Sequence, residues 1–379
     1  MRNFHKFTLI SSLMVLFLSI WLVNGDYVSK TWAQSQSFEY VELANISTGG
    51  DTFQVEVVGD LAYVIDMYTG LRIYNVSDPS NATLLGTFYD GGIPHELFID
   101  GDLAYIADHY DGLEILNISD PSNPTEIGQI TDTGDGEADG IFVANNRAYV
   151  AEWHDSTWSW KMIVIDVSDP ANPVKLSEYV DEDGQFLRFY STGDICYAAC
   201  LDDGFKILNV SDSTDITEIG HYSDGGGSGN FQIVDTIAYV ADGSDGLELI
   251  DVSDPANPVE LGQYVGENYV FDVQIINDIA YIAEDETGLA ILDISNPTAI
   301  TRVGNYTTED LVGVYVQGNY AYLAQHEYGL KIIKISTSSS TIETTSGWTI
   351  LISLSALTVL LFLWRLKRRD KRIDNFFQR

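Results

Sequence analysis

Positive charge is what this chain has least of. Its 379 residues hold 19 Lys and Arg against 56 Asp and Glu, a formal charge of −37. Without the two ends the imbalance deepens: residues 26–346 carry 54 acidic and ten basic residues, a formal charge of −44. A surface of that sign repels nucleic acid, which is therefore not expected as a partner. Cysteine is scarce as well. Cys196 and Cys200 are the only two. Four residues along a strand separate them by roughly 13 Å, whereas a disulfide needs Cα atoms within about 7 Å. They cannot pair with each other locally, and no disulfide framework supports the fold. The sequence also has no Gly-x-Ser-x-Gly elbow, no phosphate-cradling loop and no zinc-protease helix, so the common hydrolase and nucleotide-binding motifs are missing.

Long apolar runs occur only at the ends. Arg2 and Lys6 precede an apolar stretch from Phe7 to Val23, with small residues at "VNG". That layout predicts a signal peptide over 1–25, an uncleaved anchor being the alternative. Gly347–Trp364 is uncharged, and Arg365, Lys367, Arg368, Arg369, Lys371 and Arg372 follow it. About 20 apolar residues cross a hydrocarbon core as a helix, and positive charge stays on the cytoplasmic side. A transmembrane helix is expected at 347–365, a basic cytoplasmic tail at 366–379, and a Ser/Thr-rich stalk at 337–346. The expected location is the cell membrane, with a single C-terminal crossing, the residues before it outside the cell and the C-terminus cytoplasmic.

What fills the middle is repetition. "GLEILNISDPSNPTEIGQ" (Gly112 to Gln129) returns 134 positions later as "GLELIDVSDPANPVELGQ" (Gly246 to Gln263), identical at 11 of 18 places. Seven copies align. Their turn-opening glycines are Gly70, Gly112, Gly204, Gly246, Gly288 and Gly329, with Lys161 in the third copy. One tyrosine recurs in all seven: Tyr63, Tyr105, Tyr149, Tyr197, Tyr239, Tyr281 and Tyr322. Most steps are 41 or 42 residues, and four short strands per step predict a β-propeller blade. In each copy an alternating strand a leads to a "LAYVAD"-like strand b, a "GLEILNI"-like strand c and a "TEIGQI"-like strand d. The "SDPSNP" between c and d is a reverse turn, with the Asn or Asp just ahead of it as its brace. The seventh copy lacks strand d. "VELANIS" (Val41 to Ser47) resembles "VELGQYV" (Val259 to Val265) and is expected to supply it, closing a monomeric ring without a free edge. The fold class is therefore an all-β, seven-bladed propeller over 36–336 plus the C-terminal helix.

"MIVIDVSDP" (Met162 to Pro170), "LELIDVSDP" (Leu247 to Pro255) and "LAILDISNP" (Leu289 to Pro297) resemble the LVIVD repeat family of bacterial and archaeal cell-surface proteins. The resemblance implies a propeller in an exported protein and no catalytic residues. Ser213, in place of proline in the fourth copy, departs from the pattern.

Strand order gathers the b–c and d–a loops on one face, the top, where the repetition breaks down. Strand b ends on an acid in five copies, Asp66, Asp108, Glu152, Asp242 and Glu284, and His95, His109, His154 and His326 fall in the same loops. The third copy inserts five residues there, giving "EWHDSTWSWK" from Glu152 to Lys161. Two readings of Trp153, Trp158 and Trp160 stand: a satellite core over a wide blade gap, or aromatic platforms for a glycan or protein ligand beside Asp108, His109, Glu152 and His154. No cofactor is expected beyond a weak Ca²⁺ candidate. Asp135, Glu137 and Asp139 partly follow a calcium loop, but Asn146 stands where its last glutamate should be. His95, His109 and His154 with Asp108 and Glu152 could converge on a transition metal. Glu96, Arg188 and Asp272 occupy equivalent strand-a places near the channel mouth. They read as a salt-bridged plug, with acid–base catalysis as the alternative. The function these readings favour is a surface binding module; the alternatives are a channel-mouth enzyme and a structural envelope protein.

Overall fold

Alternation in strand a and continuous apolar runs in strands b and c suit sheets buried on both faces. The computed structural model describes residues 36–131, 136–154, 159–181, 184–201 and 203–339, in seven four-stranded antiparallel sheets. Blade 1 shows the pattern: strand a Thr52–Val58, b Leu61–Asp66, c Gly70–Asn75 and d Thr83–Phe88, hydrogen-bonded in that order. The inner strands of blades 2 to 7 are Pro94–Asp100, Gly136–Ala144, Phe186–Thr192, Asn230–Val234, Val270–Ile276 and Gly313–Gln317. The expected signal peptide, transmembrane helix and tail lie outside the described residues. Among the described residues no helix is long and apolar enough to cross a membrane.

The core lies between blades. Tyr63, Ile65, Leu71 and Ile73 of blade 1 meet Leu97, Ala104, Ile106 and Leu116 of blade 2 in one buried cluster. The intervening residues Ala62 and Val64 turn the other way and meet Tyr322, Ala324, Leu330 and Ile332 of blade 7. Successive side chains of a strand thus serve opposite neighbours, which is why strand b carries no polar face. The contact between blades 7 and 1 closes the ring.

The outer strand of blade 7 comes from the N-terminus as expected. Gln36–Ile46 lies beside Gly329–Ser339, with the order N-terminal strand, c, b, a. Both strands are longer than the sequence suggests: the closing strand starts at Gln36 rather than Val41, and strand c runs to Ser339, through the first residues assigned to the stalk. Eleven residues of partner strand are available, so the last strand keeps a neighbour beyond the length of an ordinary blade.

The braces also form. Asn75, Asn117, Asp166, Asn209, Asp251 and Asp293 each accept the backbone N–H two residues on, at 2.9–3.0 Å. Glycine in strand d has a packing cause. A Cβ on Gly86, Gly128, Gly220 or Gly262 would lie 1.9–2.3 Å from the carbonyl oxygen of the turn proline in the next blade. The equivalent of Gly128 in blade 3 is Ser177, and blade 3 faces blade 4, whose turn has Ser213 in place of proline. Both cysteines are buried and free.

Candidate functional site

Register places one strand-a residue per blade at the upper channel wall: Gln54, Glu96, Gly140, Arg188, Asn230, Asp272 and Gly313. The three predicted charges converge. Arg188 Nη2 lies 2.6 Å from Glu96 Oε1, and Arg188 Nη1 donates to Asn230 Oδ1 at 2.8 Å. Asn230 in turn donates to Asp272. The carboxylates also accept backbone N–H groups of the following blade, Ile141 on Glu96 and Val314 on Asp272, each at 2.8 Å. Burial pushes Glu96 up to about 7 against the pull of Arg188, and it raises Asp272 as well. Every member has a partner, so the arrangement is a plug that ties blades together. The sequence reading missed Asn230 and Gln54, which stepping along the repeat from Arg188 and Glu96 would have found.

A second ring below repeats the device. Glu56, Gln232 and Gln274 stand at equivalent places, each opposite the recurring tyrosine. Gln232 and Gln274 accept the N–H of Ile275 and Val316 in the next blade. Glu56 makes the corresponding bond with Ile99, and burial pushes its pKa up to about 7.

The five acids ending strand b are buried, at 0–3 % exposure. They do not present themselves to a ligand above. Asp66 caps Tyr68 and Thr69, Asp108 accepts Ile93 N–H at 2.6 Å, Ser228 donates to Asp242 at 3.0 Å, and Arg302 pairs with Glu284. Glu152 lies 2.8 Å from His154, and both are buried. These carboxylates sit under the loops and hold them, so Asp108, Glu152 and His154, expected beside a ligand, are buried.

The histidines divide. His95 Nδ1 is 2.7 Å from Asp139 and His109 Nε2 is 3.3 Å from Glu137, with ring centroids of the two imidazoles 5.0 Å apart. His95, His109 and Asp139 lie close enough to hold one metal ion, but His154 is elsewhere with Glu152. Glu137 and Asp139 are on strand a of blade 3, not in a calcium loop: Gly136–Ala144 pairs along strand b. Asp135 lies outside the described residues.

Aromatic rings extend this rim. Phe53 stacks on His95 at 5.8 Å and meets His326 edge-on at 5.3 Å, and Tyr110 packs on His109 at 4.5 Å. Tyr328, Tyr68 and Tyr110, in the b–c loops of consecutive blades 7, 1 and 2, are 48 %, 57 % and 63 % exposed. In blade 3 the half-buried Trp153, on strand b, has its ring 5.4 Å from Trp160. Trp160 packs against the buried cluster between blades 3 and 4, as the satellite-core reading expects. Trp158 lies outside the described residues. The sequence reading weighted the tryptophans and passed over the exposed tyrosines, whose signal was an aromatic in three of the b–c loops, "DMYTG", "DHYDG" and "QHEYG".

Solved structures with the same architecture share little sequence with this chain. The crystal structure of the computationally designed Ika8 protein superposes with a TM-score of 0.57 at 9 % identity, covering 77 % of this chain and 99 % of that one. The WD40 beta propeller domain of Doa1 gives 0.60 at 12 %, covering 78 % and 97 %. Both likenesses concern the fold alone. No curated protein matches the sequence. The model of the LVIVD repeat matches residues 49–90, 91–132, 135–181, 225–265, 268–308 and 311–349. Blade 4, the copy without the turn proline, falls between the third and fourth matches. With its repeats matched over more than half its length, the chain belongs to the LVIVD repeat family.

Proposed function

We propose that this protein is a membrane-anchored, extracellular binding module that takes a glycan or a protein ligand on the top face of its propeller. The observation that carries the reading is the arc of exposed rings over blades 7, 1 and 2: Tyr328, Tyr68 and Tyr110. Exposed aromatic faces in loops underlain by the buried polar side chains Asp66, Asp108 and Gln325 offer rigid stacking surfaces with polar edges. A sugar ring fits that chemistry best, because its C–H face stacks on a tyrosine while neighbouring carboxylates and imidazoles accept or donate to its hydroxyls. The channel-mouth enzyme is less well supported, since Glu96, Arg188 and Asp272 are each engaged by protein partners.

The test is a glycan and surface-protein binding screen with the purified full chain, repeated with Tyr68→Ala/Tyr110→Ala. Loss of capture by the double variant at an unchanged melting temperature supports the reading. Capture that survives the loss of both rings would place the ligand elsewhere.

A further inference from the structure

Two positions recur along the c–d strand pair, one on strand c and one on strand d two ladder steps lower, and in blade 4 a 3.6 Å side-chain contact joins them. In blade 4 they are Lys206 and Glu218; in blade 1, Arg72 on strand c; in blade 7, Lys331 on strand c; in blades 3 and 6, Lys175 and Arg302 on strand d. Each of these five blades therefore has a cation at one of the two positions, and in blades 4 and 6 it pairs with acids beneath the loops. Blades 2 and 5 bring none. Both positions are glutamate there, Glu114 and Glu126 in blade 2, Glu248 and Glu260 in blade 5.

Around Glu114 stand Asp90, Asp108 and Asp111, and around Glu248 stand Asp224, Asp242 and Asp245, the same four acids 134 positions on. Oxygens of Asp90, Asp111 and Glu114 lie within 4.8 Å of one another, as do those of Asp224, Asp242 and Asp245. Two oxygens bound to one Ca²⁺ at about 2.4 Å each can be no further apart than about 4.8 Å. Glu114 and Glu248 are 1 % and 2 % exposed, and Oε1 of each has no hydrogen-bond partner. A buried, unpaired carboxylate oxygen repeated at the same place in two blades points to a missing positive group. The fold shows what such a group does in blade 4. There Lys206 Nζ replaces the glutamate and is held by Asp181, by Asp203 at 2.6 Å and by Glu218 at 3.6 Å.

We propose that the carboxylate pockets Asp90–Asp108–Asp111–Glu114 and Asp224–Asp242–Asp245–Glu248 each bind one Ca²⁺ ion, which does in blades 2 and 5 what Lys206 does in blade 4. All the ligands are hard oxygens, with no imidazole or thiolate among them, which selects Ca²⁺ or Mg²⁺ over transition metals. Carboxylates from four elements, two strands and two loops, suit the variable geometry of Ca²⁺ better than the strict octahedron of Mg²⁺. Gly92 and Gly226 leave the room: a Cβ there would fall 2.0 Å from an Asp108 oxygen and 1.7 Å from an Asp242 oxygen. With no cation present, burial and the adjoining Asp90 and Asp224 push Glu114 and Glu248 up to about 9, so a shared proton is the competing occupant.

The experiment titrates CaCl₂ into the full chain by calorimetry, with MgCl₂ and NaCl at matched ionic strength as controls. Two saturable Ca²⁺ sites are expected, with Mg²⁺ at least tenfold weaker and NaCl without a saturable signal. Glu114→Lys and Glu248→Lys, which copy blade 4, should each remove one site, and the double variant should bind no Ca²⁺ while melting at or above the ion-free parent. If a lysine variant does not fold, Glu114→Gln/Glu248→Gln keeps size and removes two ligand charges, and it should weaken Ca²⁺ at least tenfold. Equal responses to Ca²⁺ and Mg²⁺, or Ca²⁺ binding unchanged in these variants, would overturn the proposal and leave protons or general screening in the pockets. Capture of a glycan by the tyrosine arc is measured separately and can fail or succeed independently.

Discussion

Arg188 reaches 2.6 Å from Glu96 across the width of blade 3, because Gly140 stands at the equivalent place between them. The absent side chain of Gly140 lets one guanidinium serve two blades. It also leaves a single half-buried cation serving Glu96 directly and Asp272 through Asn230.

Removing that cation should be costly. Breaking a buried ion pair by deleting one partner typically costs about 3–5 kcal/mol, since the remaining charge is uncompensated. Arg188→Ala should lose about 3 kcal/mol in urea denaturation at pH 7.5, and Arg188→Ala/Glu96→Gln should regain part of it. A loss under about 1 kcal/mol would mean that water already screens the plug.

Glu56 predicts the pH response. Its folded pKa of about 7 lies above that of an exposed glutamate, so the folded state holds a proton that the unfolded state has released. The stability this contributes is complete below about pH 4.5 and is lost as pH rises through about 7, up to about 3 kcal/mol. Glu56→Gln copies Gln232 and Gln274 and should stabilise the protein at pH 8 while changing little at pH 4.5. Denaturation midpoints at the two pH values check it, and a variant with the parent's full slope would assign the effect to other acids.

Gly128→Ala should destabilise by about 1–3 kcal/mol through overpacking, because its Cβ would meet the Pro170 carbonyl oxygen at 2.1 Å. Ser177→Gly, at the same register in blade 3, should be tolerated within about 1 kcal/mol, the penalty being only the glycine's backbone entropy. Paired thermal melts decide this.

Deleting residues 36–46 should expose the edge of strand c in blade 7 and uncover the apolar cluster on which Phe38 and Tyr40 pack. Aggregation and a lower melting temperature are expected. A deletion variant that stays monomeric with the parent's melting temperature would show that the closing strand contributes no stability.

Period, turn residues and alternation were legible in the chain because each is a local demand of backbone geometry. Seven tyrosines in register, "SDP" turns with their Asn or Asp braces, and a seventh copy short of one strand determined the blade count and the closure. Cysteine count likewise left no room for a disulfide scaffold, and both cysteines are free. The top face was legible too, since strand direction alone assigns its loops. Whether Asp108 and Glu152 point outward or sit beneath those loops was decided only by the tertiary structure, because an acid at a strand end reads the same either way. The same holds for Lys206 and Glu114. Both lie in a "GFKILN"- or "GLEILN"-like strand, and their opposite roles emerge only when carboxylates from other strands and loops close around them. Burial and electrostatic compensation depend on segments distant in the chain, and no local pattern records them.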